Sequence, residues 1–347
     1  MTSEYLAILQ WFSSVNRDAA NHRPDWSANR YITPLECNRV DGFAAFRVLT
    51  GLAFLGFASC RDLKTRRVPD EVWIVMGVLA LVLLEVELVQ GGASWEHQLL
   101  LVPTAIIFFG VFFGEEMWTE EGFRLRPIRL IVYAVAGLLL AFLAYHFWST
   151  SGSDSNAFWG HLSMPIMLVL AHVFYQFGLL RGGADAKAFM SIAILVPIYP
   201  SIGPGLPLVS LSPTIQHAVD LMFPFALVAL LDAALLLVFL PLFFLVFNAL
   251  RGDAKGIQAL FGYRVGIDKV PKFVWLMDRV ENGKHLRILL PRKREDRNEQ
   301  IARLREKGFD RVWVTPQIPF LVPLTFGFAA AFLVGNFILG LTLLFGR

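Results

Sequence analysis

Charge is scarce in this chain. Asp, Glu, Lys and Arg make up 17% of its 347 residues, while hydrophobic residues make up 56%. A soluble domain carries about 25% charged residues, so the composition excludes an ordinary soluble protein and implies a membrane protein. Cysteine is nearly absent, with only Cys37 and Cys60. Neither a CxxC pair nor a Cys/His cluster is present, so the sequence supports no structural zinc site and no disulfide framework. A Walker-type phosphate loop is missing too, because no glycine-rich run ends in Lys-Ser/Thr. The first forty residues lack a long apolar core behind a basic start, and no cleavable signal peptide is expected. The basic stretches lack the interleaved aromatics that bind single-stranded nucleic acid, so no nucleic-acid partner is expected.

Long apolar runs are what the chain does have. Spanning a bilayer takes about 20 mostly apolar residues. Eight stretches qualify: 42–60, 72–89, 96–114, 128–148, 162–180, 187–208, 219–249 and 319–345. Their continuous apolar character favours helices over barrel strands, which would alternate. The seventh contains Pro224 and Pro241, and a kink or tilt is expected there.

Lys and Arg fall on one side. With the amino terminus outside, segments 61–71, 115–129, 181–187 and 250–318 face the cytoplasm and hold 25 of the 31 basic residues. Loops 90–98, 149–161 and 209–218 hold none, the asymmetry of the positive-inside rule. The expected fold class is therefore an all-α polytopic membrane protein of about eight transmembrane helices with a small α/β cytoplasmic appendage. The expected organisation is an extracytoplasmic tail (1–41), a seven-helix membrane core (42–249), a basic cytoplasmic domain (250–318) and a last transmembrane helix (319–347). In the basic domain, His285–Leu290 and Arg311–Thr315 read as strands. Glu295–Lys307 reads as a helix with Ile301 and Leu304 inward and Gly308 as its cap. Its positive charge suits anionic lipid headgroups.

Two short motifs sit at cytoplasmic helix boundaries. The first runs Asp62-Leu63-Lys64-Thr65-Arg66-Arg67-Val68-Pro69-Asp70, with Pro69 at a tolerated helix start. The second is Gly182-Gly183-Ala184-Asp185-Ala186-Lys187. Each has a plain reading: a basic turn whose acid pairs with a neighbouring cation, and a glycine break followed by a capping Asp. Taken together they place two carboxylates at one depth. Two acids held within a few Å share a proton, so one can act as base while the other donates. Such a pair can activate water against a peptide carbonyl and protonate the leaving nitrogen.

On these residues the chain resembles the GxGD-type aspartic membrane peptidases. Within them it is most similar to the archaeal type IV prepilin/preflagellin peptidases, relatives of the bacterial prepilin peptidases. The run Val312-Trp313-Val314-Thr315-Pro316-Gln317-Ile318-Pro319-Phe320-Leu321-Val322-Pro323 also resembles the approach to the last helix of archaeal members. The resemblance implies that Asp62 and Asp185 are catalytic, with Gly182, Gly183, Ala184, Lys187 and Pro69 as motif support. Archaeal members commonly allow a hydrophobic residue at the position of Ala184. The cysteine-containing domain of the bacterial enzymes has no counterpart, so no metal is implied. Neither a cofactor nor methyltransferase activity is expected.

By that resemblance the substrate is a prepilin- or archaellin-like precursor: a short basic leader, a Gly before the cut, then an apolar helix. Asp70, Glu71, Glu115 and Glu116 are candidate contacts for the leader. Two other functions remain open at this point. One is a GxGD protease of signal-peptide-peptidase type, although Arg61 precedes the first Asp and Ala184 the second. The other is a proton-coupled transporter using the membrane aspartates, including Asp232. Oligomeric state is not legible.

Overall fold

The computed structural model describes residues 42–113, 118–119, 122–123, 126–150, 152–180, 182–200, 208, 223–281, 283–289 and 297–336. The tail 1–41, Glu115, Glu116 and the end of the last expected span lie outside them. Helix α1 (Gly42–Thr65) and helix α2 (Asp70–Gln90) form a hairpin. The extended Pro69 precedes α2, where its missing N–H costs nothing. Asp70 and Glu71 occupy the first turn of α2, favoured by the helix dipole. The far end of α2 closes on glycine: Gly92 takes φ 70, and the Ala93 amide returns to Leu88 C=O at 2.9 Å. That is the left-handed stop only glycine adopts easily.

The chain continues through α3 (Trp95–Gln98) and α4 (Leu101–Phe109). A two-stranded antiparallel ribbon follows, β1 (Trp118–Thr119) and β2 (Gly122–Phe123). Next come α5 (Pro127–Ser149), α6 (Ser153–His161), α7 (Ser163–Gln176) and α8 (Gly183–Leu195). Helices α9 (Phe225–Val238) and α10 (Leu240–Leu250) meet at Phe239. Pro241 in the first turn of α10 supplies the expected break. Among the described residues, five helical runs are long and apolar enough to cross a membrane: Gly42–Thr65, Asp70–Gln90, Pro127–Ser149, Ser153–Gln176 and Phe225–Leu250. Trp95–Phe109 and Leu321–Leu333 are apolar but shorter.

The expected count of eight spans is not confirmed among the described residues, and the helix expected at 187–208 differs. That helix begins earlier, at Gly183, and stops at Leu195. Val196 leaves the helical region, with φ −129 and ψ 76, as expected for a residue before proline. At 1.5 Å per residue a helix of 13 residues is about 20 Å long, short of a bilayer core. Burial inside the bundle makes the shortness tolerable. Every residue of α8 from Ala188 to Leu195 is buried, and α1, α2, α7 and α9 all pack on it.

The last described helix, α12 (Leu321–Leu333), packs on α9 and α1. Lipid tails are as apolar as Leu, so close packing rather than hydrophobicity joins such helices. Gly327 makes this contact possible. A Cβ there would stand 2.3 Å from Ala229 C=O and 2.6 Å from the Ala233 amide.

Between α10 and α12 lies the basic appendage, richer than the expected two strands. Its three-stranded antiparallel sheet has the order β3 (Tyr263–Gly266), β7 (Arg311–Pro316), β4 (Val274–Leu276). A ribbon of β5 (Asp278–Glu281) and β6 (Lys284–Arg287) stands beside it. Helix α11 (Arg297–Glu306) covers the sheet with Leu304 buried and Ile301 against the core. Gly308 takes φ 78 just beyond it, in agreement with its expected role. Alternation along β7 sends Val312 and Val314 into the core under α11 and Trp313 into a second cluster with Ala259 and Met277. Asp278 is buried and braces the unit: it accepts from the Trp313 amide and from Arg287 Nε, both at 2.7 Å.

Candidate active site

The two motif aspartates lie at the same end of the bundle. Asp62 is inside the last turn of α1 rather than beyond its end, and Asp185 is inside the first turn of α8. Helices α1 and α8 touch, and the Asp62 carboxylate lies within Coulombic range of Asp185. Both side chains are half-buried.

Local sequence explains how Asp185 is held. Gly182 precedes the helix in an extended conformation, φ −101 and ψ 131. The Asp185 amide donates to Gly182 C=O at 3.0 Å, and the Gly182 N–H donates back to the Asp185 carboxylate. That is the return half of a capping box. The Asp185 carboxylate thus helps to close the turn that opens α8. Gly183 is different: a Cβ on it would meet nothing within 4 Å. Ala184 packs partly against the main core, so its methyl group fills space.

Lys187 turns away from Asp185, as residues two apart on a helix do. Its Nζ donates to Asp70 Oδ1 at 2.6 Å and stands 5.1 Å from the Phe112 ring centroid. The structure thus pairs Asp70, a candidate leader contact, with the lysine of the second motif. Glu71 sits exposed beside it. Next to Lys187 is a cavity of about 260 Å³, lined by Arg129, Tyr133, His172, Gln176, Gly183 and Lys187 among others. His172 and Gln176, one turn apart on α7, share this cavity wall.

Asp232 is buried on α9, and its Oδ2 has no hydrogen-bond partner among the described residues. Among the described residues, no group of three or more His, Cys, Asp and Glu side chains is arranged to hold a metal ion.

Several polar contacts escaped the sequence. At the opposite end, Asp154 Oδ1 accepts from His97 Nδ1 at 2.6 Å, and His97 Nε2 lies 3.1 Å from His161 Nδ1. Arg47 at that end pairs with Glu87 and donates to Leu195 C=O. Four helices contribute these side chains, α6 supplying both Asp154 and His161, so no local pattern announces them. The one usable signal was a cation and an acid at matching depth on adjacent helices, Arg47 and Glu87.

Residues 254–337 match the family model Archaeal Peptidase A24 C-terminus Type II. The chain is 25% identical over 219 residues to the preflagellin peptidase of Methanococcus voltae, covering 60% of this chain and 85% of that protein. It is 25% identical over 301 residues to that of Methanococcus maripaludis, covering 84% of this chain and 96% of that protein. The Methanocaldococcus jannaschii preflagellin peptidase is 26% identical over 182 residues. The chain is similar to the archaeal preflagellin peptidases. That similarity extends over most of the sequence, and the family model covers the basic appendage and all of α12.

Proposed function

We propose that this chain is an intramembrane aspartic endopeptidase that removes the short basic leader of prepilin- or archaellin-like precursors. The observation that carries the reading is that Asp62 in the last turn of α1 and Asp185 in the first turn of α8 stand at one end of the bundle on helices that pack together. Relatedness to preflagellin peptidases supports the substrate class. The concentration of Lys and Arg at the same end supports a cytoplasmic cut in the cell membrane.

The chemistry needs only water and the two acids. One carboxylate takes a proton from water as its oxygen bonds to the scissile carbonyl carbon. The other acid stabilises the developing oxyanion and then protonates the leaving nitrogen, and the C–N bond breaks. Leader carboxylate and new amine result, and the pair again shares one proton. Preorganised geometry supplies much of the acceleration. The leader's basic residues would be met by Glu71 with Glu115 and Glu116, and by Asp70 if a leader cation replaces Lys187.

The test is cleavage of a tagged precursor in membranes bearing Asp62→Asn, Asp185→Asn or Asp232→Asn. The first two should abolish cleavage with normal insertion, and the third should leave it largely intact. Activity retained in either of the first two would end the dyad reading; loss confined to Asp232→Asn would favour a proton-coupled carrier.

A further inference from the structure

Arg66 has a set of contacts that no helix-ending residue needs. Among the described residues it is the only one other than glycine with positive φ, 57°, a left-handed conformation that a Cβ disfavours. Its amide makes the closing hydrogen bond of α1, to Asp62 C=O at 2.9 Å. The Thr65 hydroxyl, 2.9 Å from the carbonyls of both Arg61 and Arg67, fixes the same turn. From there the Arg66 side chain leaves α1 altogether. Its guanidinium donates to Gln317 C=O and sits 4.8 Å from the centroid of the Phe273 ring. Gln317 and Phe273 belong to one rigid corner, since the Gln317 amide donates to Phe273 C=O at 3.0 Å. A planar guanidinium suits a carbonyl and an aromatic face together.

Ser59 makes the matching contact about two turns earlier. Its hydroxyl donates to Leu321 C=O at 2.9 Å and lies 2.8 Å from Thr325 Oγ1. Ser59 and Asp62 are three apart, hence on one face of α1, and Arg66 follows directly on its last residue. The residues on both sides of Asp62 are thus held by the stretch from Gln317 to Thr325.

We propose that Arg66 is a positioning residue for Asp62: by gripping Gln317 and Phe273 it fixes the last turn of α1 at the depth where Asp62 meets Asp185. The inference rests on the dyad reading above. It assigns the basic appendage a mechanical part in the reaction, as the anvil against which the Asp62-bearing turn is set. A residue acting this way changes turnover rather than substrate affinity, because displacing a reacting group by about 1 Å costs on the order of 100-fold in rate.

The experiment measures kcat and KM for precursor cleavage in membranes containing the full chain with Arg66→Gly, Arg66→Lys, Phe273→Ala or Arg66→Gly/Phe273→Ala. Glycine accepts the left-handed conformation, so Arg66→Gly removes the grip without straining the turn. The expected result is a kcat lowered about tenfold or more in Arg66→Gly, with KM within about twofold. Phe273→Ala should show a smaller loss of the same kind. The double variant should be no worse than Arg66→Gly, and Arg66→Lys should recover part of the rate. Wild-type kcat in Arg66→Gly, or a change confined to KM, would overturn the proposal. So would a full loss in Arg66→Gly with no effect of Phe273→Ala, because that outcome assigns the effect to charge alone. Asp62→Asn in parallel separates the two readings: if that variant cleaves, the dyad itself fails, whereas its inactivity beside a wild-type Arg66→Gly sinks only the brace.

Discussion

A Cβ placed on Gly182 would stand 2.5 Å from Oδ2 of Asp185. The obstacle is the end of a side chain rather than backbone, so the carboxylate can swing aside at small cost to folding. Its position would nevertheless change. Gly182→Ala should therefore insert normally and lose precursor cleavage on the order of 100-fold. Gly183→Ala, with no atom within 4 Å of its added carbon, should stay within about twofold of wild type in the same cleavage assay. Equal effects at the two glycines would contradict this account.

Gly327 presents the opposite case. Its added Cβ would meet the backbone of α9 at Ala229 and Ala233, and backbone cannot swing away. Gly327→Ala should destabilise the bundle by about 1–3 kcal/mol, and Gly327→Leu by more. Thermal unfolding in detergent reads the effect as a lowered Tm with less inserted protein.

The ion pair between Lys187 and Asp70 should matter little for stability. The Asp70 side chain is 51% exposed, and an exposed pair contributes about 0–1 kcal/mol. Asp70→Asn should leave the Tm nearly unchanged. Any loss of cleavage in that variant would then report on the leader, and it should be largest for precursors with the most basic leaders.

Asp278 should be costly to remove. It is 1% exposed, ion-paired with Arg287 and 3.0 Å from His285 Nε2, and those side chains are about a third exposed at 35% and 32%. Taking one partner from a buried pair costs about 3–5 kcal/mol, and the partial exposure of Arg287 places Asp278→Ala near the lower end. Limited proteolysis of membranes should release fragments of the 250–318 region from this variant and not from wild type.

Orientation can be checked with a single cysteine. After replacement of Cys37 and Cys60, Ser153→Cys should react with an impermeant thiol reagent added outside intact cells, since it follows α5 at the end opposite Asp62. Protection there would invert the assigned sides.

How much of this was legible depends on whether the cause was local. Helices α1, α2 and α5 follow from apolar runs bounded by Pro69, Pro127 and the Gly91–Gly92 stop. The left-handed Gly308 and the inward Leu304 followed from turn chemistry and spacing. The stop of α8 at Leu195 was harder, because the apolar run of the sequence continues past it. Hydropathy measures what a segment avoids, not which shape it takes. In the candidate site, the two acids and the capping of Asp185 could be read from their motifs. The partner of Lys187 lies 117 residues away, and the grip of Arg66 on Gln317 spans 251 residues. Such pairings depend on how helices are set side by side, and no window of sequence contains that.

The packing of α12 on both α1 and α9 has a consequence for the order of synthesis. Asp62 and Asp185 emerge from the ribosome early, yet the turn bearing Asp62 has no seat until the segment from Gln317 onward follows. A nascent chain with its first several helices already in the bilayer therefore carries both acids but lacks the seat for the Asp62 turn. On the proposed reading, cleavage would start only when the late helix arrives, and the timing of its insertion would itself be a safeguard against premature proteolysis.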